Sequence, residues 1–159
     1  MQKEVKMLNY KVGCLITAAQ NGDIEAIGHQ CNCFNTMGSG IAPLIAKAFP
    51  KAYDVDQRTT RGDTTKLGTL TYADCSYDKQ KLLVFNLYGQ YGCGRGRGLG
   101  LPDTDYKALR SAMIVMRSLL RVAGMASIGL PKLGCGLGGG DWEKVSRIIE
   151  EVFKEFFYI

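Results

Sequence analysis

The glycines constrain this chain most. Twenty of them occur among 159 residues, and they are gathered rather than dispersed. Gly38-Ser39-Gly40 opens one apolar stretch, six glycines fall within 89–100, and a third run covers 134–140. Such runs permit positive φ and close backbone approach, and they interrupt any long element. The chain is therefore cut into short strands and helices joined by tight, glycine-rich turns.

Between those turns, strand-like and helix-like stretches alternate. Residues 8–16 (LNYKVGCLI) and 25–31 (EAIGHQC) read as strands. A helix follows over 41–50, with Pro43 in its first turn and Pro50 as its stop. After a polar, charged stretch at 51–66, residues 68–74 and 81–88 read as two strands forming a hairpin. The next helix runs over 104–123, with Leu109, Met113, Met116 and Leu120 at helical spacing. A buried strand at 126–133 precedes the last helix, capped by Asp141 and striped by Val145, Ile148, Ile149, Val152, Phe153 and Phe156. Alternation of this kind predicts an α/β fold: a three-layer α/β/α domain around a central mixed sheet, spanning 1–159 as one unit.

Hydrophobic residues at 46% and charged residues at 22% describe an ordinary globular chain. No apolar run approaches the roughly 18 residues of a membrane span, and the N-terminus lacks the apolar core of a signal peptide. A cytoplasmic protein with no membrane partner is expected. The net charge of +5 suits an anionic ligand, although the basic residues are scattered. Six cysteines without a Cys-x-x-Cys pair read as reduced thiols. Cys31 and Cys33 with His29 have no second ligand pair, so no metal and no cofactor are expected.

Two glycine loops, 38–40 and 134–140, each lead into a helix N-terminus. Successive N–H groups there make an anion nest, reinforced by the helix dipole, and two on one sheet edge would suit a diphosphate. The competing reading is that the glycines only make tight turns. Gly134 to Gly139 matches Gly-x-Gly-x-x-Gly literally, but a dinucleotide fold needs a further strand and an acidic residue about 20 positions on, and the sequence stops at Ile159. Neither loop ends in Gly-Lys-Ser/Thr, so a Walker loop is excluded. Ser39 lacks the frame of a nucleophile elbow. Arg95 and Arg97 either reach a phosphate or are solvated charges of a loop; with the net charge they raise nucleic-acid binding as a weaker reading, not an expected partnership. Asp141 reads first as a helix cap and second as a carboxylate that positions water. His29, the single imidazole, is either a general base or nucleophile or a buried, satisfied core residue. Trp142, Cys31, Cys33 and Cys135 read as core.

These motifs resemble the macro domain family of ADP-ribose-binding modules. Ala26-Ile-Gly-His-Gln-Cys-Asn32 followed by Gly38-Ser-Gly-Ile-Ala42 is similar to the family's first strand and loop, and Pro131-Lys-Leu-Gly-Cys-Gly-Leu-Gly-Gly139 to its later one. Within the family, His29-Gln-Cys-Asn32, Gly134-Cys-Gly-Leu137 and Asp141-Trp142 resemble the yeast-type ADP-ribose 1″-phosphate phosphatases and the terminal ADP-ribose glycohydrolases. The resemblance implies that Asn32 and His29 are catalytic. It implies ligand contacts from Cys14, Leu15, Asn35, Gly38, Ser39, Gly40, Ile41, Ala42, Gln90, Leu133, Gly134, Cys135, Gly136, Leu137, Gly138, Gly139 and Asp141. The first loop would hold the distal ribose and the second the diphosphate.

Three departures accompany it. Cys14 stands where the family carries an Asp that binds the adenine amino group. Gln90 stands where the glycohydrolases carry a covalent Lys, and Gly138 where its partner Asp would be, so an amine route is closed. The family's final strand is reduced to about FFYI. The implied function is ADP-ribose 1″-phosphate phosphatase. The alternatives are hydrolysis of ADP-ribosyl or O-acetyl-ADP-ribose bonds, and non-catalytic reading of ADP-ribose. The partner implied is a small ADP-ribose derivative, or an ADP-ribosylated macromolecule.

Overall fold

A computed structural model describes residues 13–92, 103–136, 138–154 and 156–158. In order along the chain it contains α1 (Leu15–Gln20), β1 (Ala26–Gln30), α2 (Ala42–Ala48), α3 (Pro50–Gln57), a 3-10 turn (Thr64–Lys66), β2 (Leu70–Asp74) and β3 (Leu83–Leu87). Then come α4 (Tyr106–Ala123), β4 (Ser127–Gly129), α5 (Trp142–Val152) and β5 (Phe157–Tyr158). The strands form one sheet in the order β2-β3-β1-β4-β5. Among the described strands only the β2–β3 pair is antiparallel; β1 pairs parallel with both β3 and β4, and β4 with β5. The sheet is mixed, as expected.

The period-2 alternation of strand side chains divides the core into two layers. Ala26, Leu83, Phe85 and Leu87 face α4 and α5, where Leu109, Met113, Met116 and Leu120 meet Val145, Ile148, Ile149, Val152, Phe153 and Phe156. Ile27, Val84 and Ala73 face the other way, onto Ile16, Ala19, Ile45, Phe49 and Ala52 of the α1–α3 region. Helices thus cover both faces, and the three-layer arrangement holds. Trp142 packs partly buried against the first of these cores.

Two elements differ from the sequence reading. The strand expected at 8–16 is, in its described part, the start of α1; residues 8–12 lie outside the described residues. Cys14 is the extended N-cap, and Ile16 and Ala19 then bury at helical spacing, three apart. The stretch at 51–66 contains α3. Pro50 opens this helix at its first position, where no N–H is needed, rather than merely ending α2. Its inward residues are Ala52 and Asp56, and a buried aspartate hides the amphipathic signal.

The caps behave as residue chemistry requires. Asp105 accepts from the Ala108 N–H at the head of α4, and Asp141 from the Glu143 N–H at the head of α5. The described cysteines 14, 31, 33, 75 and 135 are all free thiols. Among the described residues no helix is long and apolar enough to cross a membrane.

Candidate functional site

β1, β3 and β4 run parallel, so their carboxyl ends open on one edge of the sheet. The chain leaves β1 toward α2 and α3, and leaves β3 and β4 toward helices on the opposite face, which makes the end of β1 a topological switch point. Crevices form at such points. A cleft of about 320 Å³ lies here. Its walls come from the ends of the three strands: 30–32 with Thr36 and 38–42, Gln90 with Asp103, and 131–134 with Gly136 and Gly138.

The floor is a polar clamp. The Gln30 Nε2 donates to Gln90 Oε1 at 2.8 Å and to Thr104 Oγ1 at 3.0 Å. Thr104 Oγ1 donates in turn to the Gly134 carbonyl at 2.8 Å, and the Thr104 N–H donates to Gly138 O at 3.1 Å. Gln90 is held from its other end by donation to Gly92 O at 2.7 Å. Three separate loops are therefore tied together beneath the cleft.

This clamp assigns the glycines two different tasks. A Cβ on Gly134 would lie 2.6 Å from Thr104 Oγ1 and 2.7 Å from Gln30 Oε1; on Gly138 it would lie 2.6 Å from Thr104 Oγ1 and on Gly89 2.6 Å from Gln30 Oε1. Those glycines admit the clamp. A Cβ on Gly38, Gly40 or Gly136 would meet nothing within 4 Å. A side chain at any of the three would meet open space, and all three line the cleft.

Asn32 stands on the cleft wall in a fixed pose. Its Nδ2 donates to Thr36 Oγ1 at 2.7 Å and to Thr36 O at 3.2 Å, and its Oδ1 accepts from the Phe34 N–H at 2.8 Å. The amide oxygen keeps a second lone pair for a ligand hydroxyl.

His29 occupies a different environment. It is 0% exposed and does not line the cleft. Two residues from Ile27, it faces the α1–α3 layer, and its Nε2 lies 2.7 Å from Asn86 Oδ1. Asn86 Nδ2 donates onward to Ala52 O and Thr71 Oγ1, which meets the Tyr88 hydroxyl, and that hydroxyl donates to buried Asp56. Burial drives the His29 pKa down to about 4, against an opposing push from the Asn86 bond. The ring does not itself line the cleft; it lies against Cys31, whose Sγ is 3.5 Å from Nε2 and which does line it.

Of the other residues singled out, Gly38, Ser39, Gly40, Ile41, Ala42, Gln90, Leu133, Gly134, Gly136 and Gly138 line the cleft, while Leu137 lies outside the described residues. So do Arg95, Arg97 and Cys93. Cys14, Leu15, Asn35, Cys135, Gly139 and Asp141 are not among the lining residues. Cys14 is exposed at the head of α1, its pKa lowered by hydrogen bonds from Thr17. Leu15 packs against the α1–α3 core. Asn35 turns inward, where Oδ1 accepts from buried Lys66 Nζ at 2.6 Å and Nδ2 donates to Thr59 O at 2.7 Å. The Cys135 thiol donates to Leu133 O, and Asp141 is spent on the α5 cap.

Five lining residues escaped sequence reasoning: Gln30, Thr36, Asp103, Pro131 and Lys132. Gln30 had a signal, since the last residue of a central parallel strand points at the switch-point crevice. Cys31 also lines the cleft, but burial, with the Asp56 charge adding to it, pushes its thiol well above the ordinary range. It is a poor nucleophile in that state. Among the described residues no cluster of three or more His, Cys, Asp or Glu is placed to hold a metal.

Comparison with known proteins agrees with this geometry. The Macro domain family model matches residues 29–149. The chain is 39% identical over 153 residues to the human ADP-ribose glycohydrolase OARD1, covering 95% of this chain and 87% of that protein. It is 36% identical over 142 residues to an uncharacterized 17.5 kDa protein of Enterobacteria phage T4, covering 81% and 84%. It is 25% identical over 172 residues to the ADP-ribose 1″-phosphate phosphatase of Debaryomyces hansenii, covering 94% of each. Among solved structures, the macrodomain of Mycobacterium tuberculosis DarG has the same fold, with a TM-score of 0.75 at 23% identity over 96% of this chain and 95% of that one.

Proposed function

The chain belongs to the macro domain family, and on that premise we propose that it is a hydrolase of ADP-ribose derivatives that releases phosphate from ADP-ribose 1″-phosphate. The observation that carries the reading is the place of Asn32: on the wall of the cleft that both glycine loops also line, its amide pinned and one Oδ1 lone pair still open. In this reading the distal ribose lies against 38–42, a ribose hydroxyl donates to Asn32 Oδ1, and the diphosphate runs along Leu133, Gly134, Gly136 and Gly138. The backbone around Gly136, open on its Cβ side, lets the phosphates approach the loop closely.

Water is the nucleophile. Gln90, on the cleft where the resembling glycohydrolases carry their lysine, has no amine to form a covalent adduct, and its amide is committed to Gln30 and Gly92. What the protein supplies is position: a rigid amide at the ribose and a preformed cradle at the diphosphate. Such orientation lowers a barrier by several kcal/mol.

The test is phosphate release from ADP-ribose 1″-phosphate by wild type and by Asn32→Ala, with ADP-ribose binding followed by calorimetry. The expected result is release by wild type, a fall of at least about 100-fold in Asn32→Ala, and binding weakened by much less. Absence of release by pure, folded wild-type protein sinks the phosphatase reading.

A second reading, cleavage of ADP-ribose from a modified macromolecule, is favoured by the 39% identity to a protein named as an ADP-ribose glycohydrolase. Release of free ADP-ribose from an ADP-ribosylated protein or nucleic acid, without phosphate release, would select it. Binding without turnover of either substrate would leave a reader.

A further inference from the structure

The proposed hydrolysis needs a proton acceptor for the attacking water, and the imidazole expected to serve is buried and does not line the cleft. We propose that Asp103 is the general base of this site, an inference that rests on the hydrolase reading above. Among the described residues lining the cleft, Asp103 is the only carboxylate. The other ionisable side chains there are Lys132 and Cys31, the latter a thiol held protonated by burial. Gln30, Asn32 and Gln90 are amides and accept no proton at neutral pH.

The segment that follows Asp103 is anchored by several hydrogen bonds. The adjacent Thr104 is buried and bonded to Gln30, Gly134 and Gly138. The Asp105 N–H donates to Gly89 O at 2.8 Å, while its carboxylate caps α4. Asp103 is thus carried into the cleft by a segment tied to both the β3 end and the second glycine loop. A base on so rigid a support keeps its position as substrate binds, which general-base catalysis rewards.

The step balances without a co-reactant. The water oxygen bonds to phosphorus as one of its protons passes to an Asp103 carboxylate oxygen. The bond from phosphorus to the C1″ oxygen breaks, and its electron pair leaves with that oxygen. The proton returns from Asp103 to the leaving oxygen, giving the hydroxyl of ADP-ribose and free inorganic phosphate.

The experiment compares phosphate release from ADP-ribose 1″-phosphate by wild type, Asp103→Asn and Asp103→Ala, with ADP-ribose affinity and thermal stability measured on each. Asp103→Asn is expected to lower kcat by about 10²–10⁴-fold while the Kd for ADP-ribose changes less than about threefold. Sodium formate, a small replacement carboxylate, is expected to restore part of the rate of Asp103→Ala and none of that of wild type. Release by Asp103→Asn at the wild-type rate overturns the assignment of Asp103 alone. So does a rate loss matched by loss of ADP-ribose binding, or an Asp103→Ala rate unmoved by formate. No release by wild type overturns the hydrolase reading and the assignment with it.

Discussion

Acidification and His29 offer the sharpest test of the core. The chain has one histidine, so any imidazole contribution to its pH dependence belongs to that residue. Its pKa is about 4 in the folded protein, lowered by burial from the 6.5 of a free imidazole. As the pH falls below about 6.5, the unfolded chain binds a proton that the folded one refuses. Stability is therefore full above that pH and is lost progressively down to about pH 4, below which this group contributes no further change. At about 1.4 kcal/mol per pH unit, the whole window is worth about 3 kcal/mol, a large share of the 5–15 kcal/mol typical of a domain. Urea unfolding of wild type and His29→Gln at pH 7 and pH 4.5 isolates this quantity, because the carboxylates are common to both. Wild type should lose about 2–3 kcal/mol more than the variant over that interval. Curves that fall in parallel, within about 0.5 kcal/mol, would refute the reasoning that burial holds this imidazole neutral. The variant should also keep phosphate release within several-fold of wild type; a loss above about 100-fold would place His29 in the chemistry.

The two classes of glycine predict opposite results. Gly134→Ala would force a side chain onto φ +68° and against Thr104 Oγ1 and Gln30 Oε1, costing about 2–3 kcal/mol and lowering Tm by roughly 5–10 °C, whereas Gly136→Ala should leave Tm within about 2 °C. Thermal unfolding of the pair checks this, and equal shifts would contradict it. Lys66→Met removes the Nζ donated to Cys33 O, Asn35 Oδ1 and Thr59 Oγ1, and should destabilise by about 2–4 kcal/mol in urea unfolding without changing ADP-ribose affinity in calorimetry. Asn86→Leu strips His29 of its partner and breaks the bonds to Ala52 and Thr71; a cost of about 2–4 kcal/mol is expected, read by the same method.

Much of the architecture could be read before any coordinates. The stripes of α4 and α5 repeat every three or four residues, so their buried faces followed directly from Leu109 through Phe153. The hairpin of β2 and β3 and the cap Asp141 come from local chemistry of the same kind, whereas the α4 cap is Asp105, one residue inside the helix expected from 104. Two short helices escaped. α1 commits only Ile16 and Ala19 to the core, and α3 only Ala52 and the aspartate Asp56, too few apolar residues to show a period. What made them helices is the sheet face they cover.

The site divides along the same line. The glycine loops, their order and the asparagine ahead of the first are carried by residue type and spacing, since only glycine combines positive φ with close approach. Their resemblance to a family rests on those positions alone. Which glycine opens on free space and which admits Gln30 and Thr104 depends on segments far apart in sequence, 30 to 74 residues between bonded partners. His29 shows the limit most plainly. Its neighbours in sequence lead into the cleft, but strand pleating turns its ring to the opposite layer, against Asn86 57 residues away. Asp103, inconspicuous among fifteen acidic residues, gains its place only because the clamp carries it to the cleft. Local residue chemistry thus determined the longer helices, the central strands and the glycine loops. Burial, and with it which titratable group meets solvent, arose only when the strands paired.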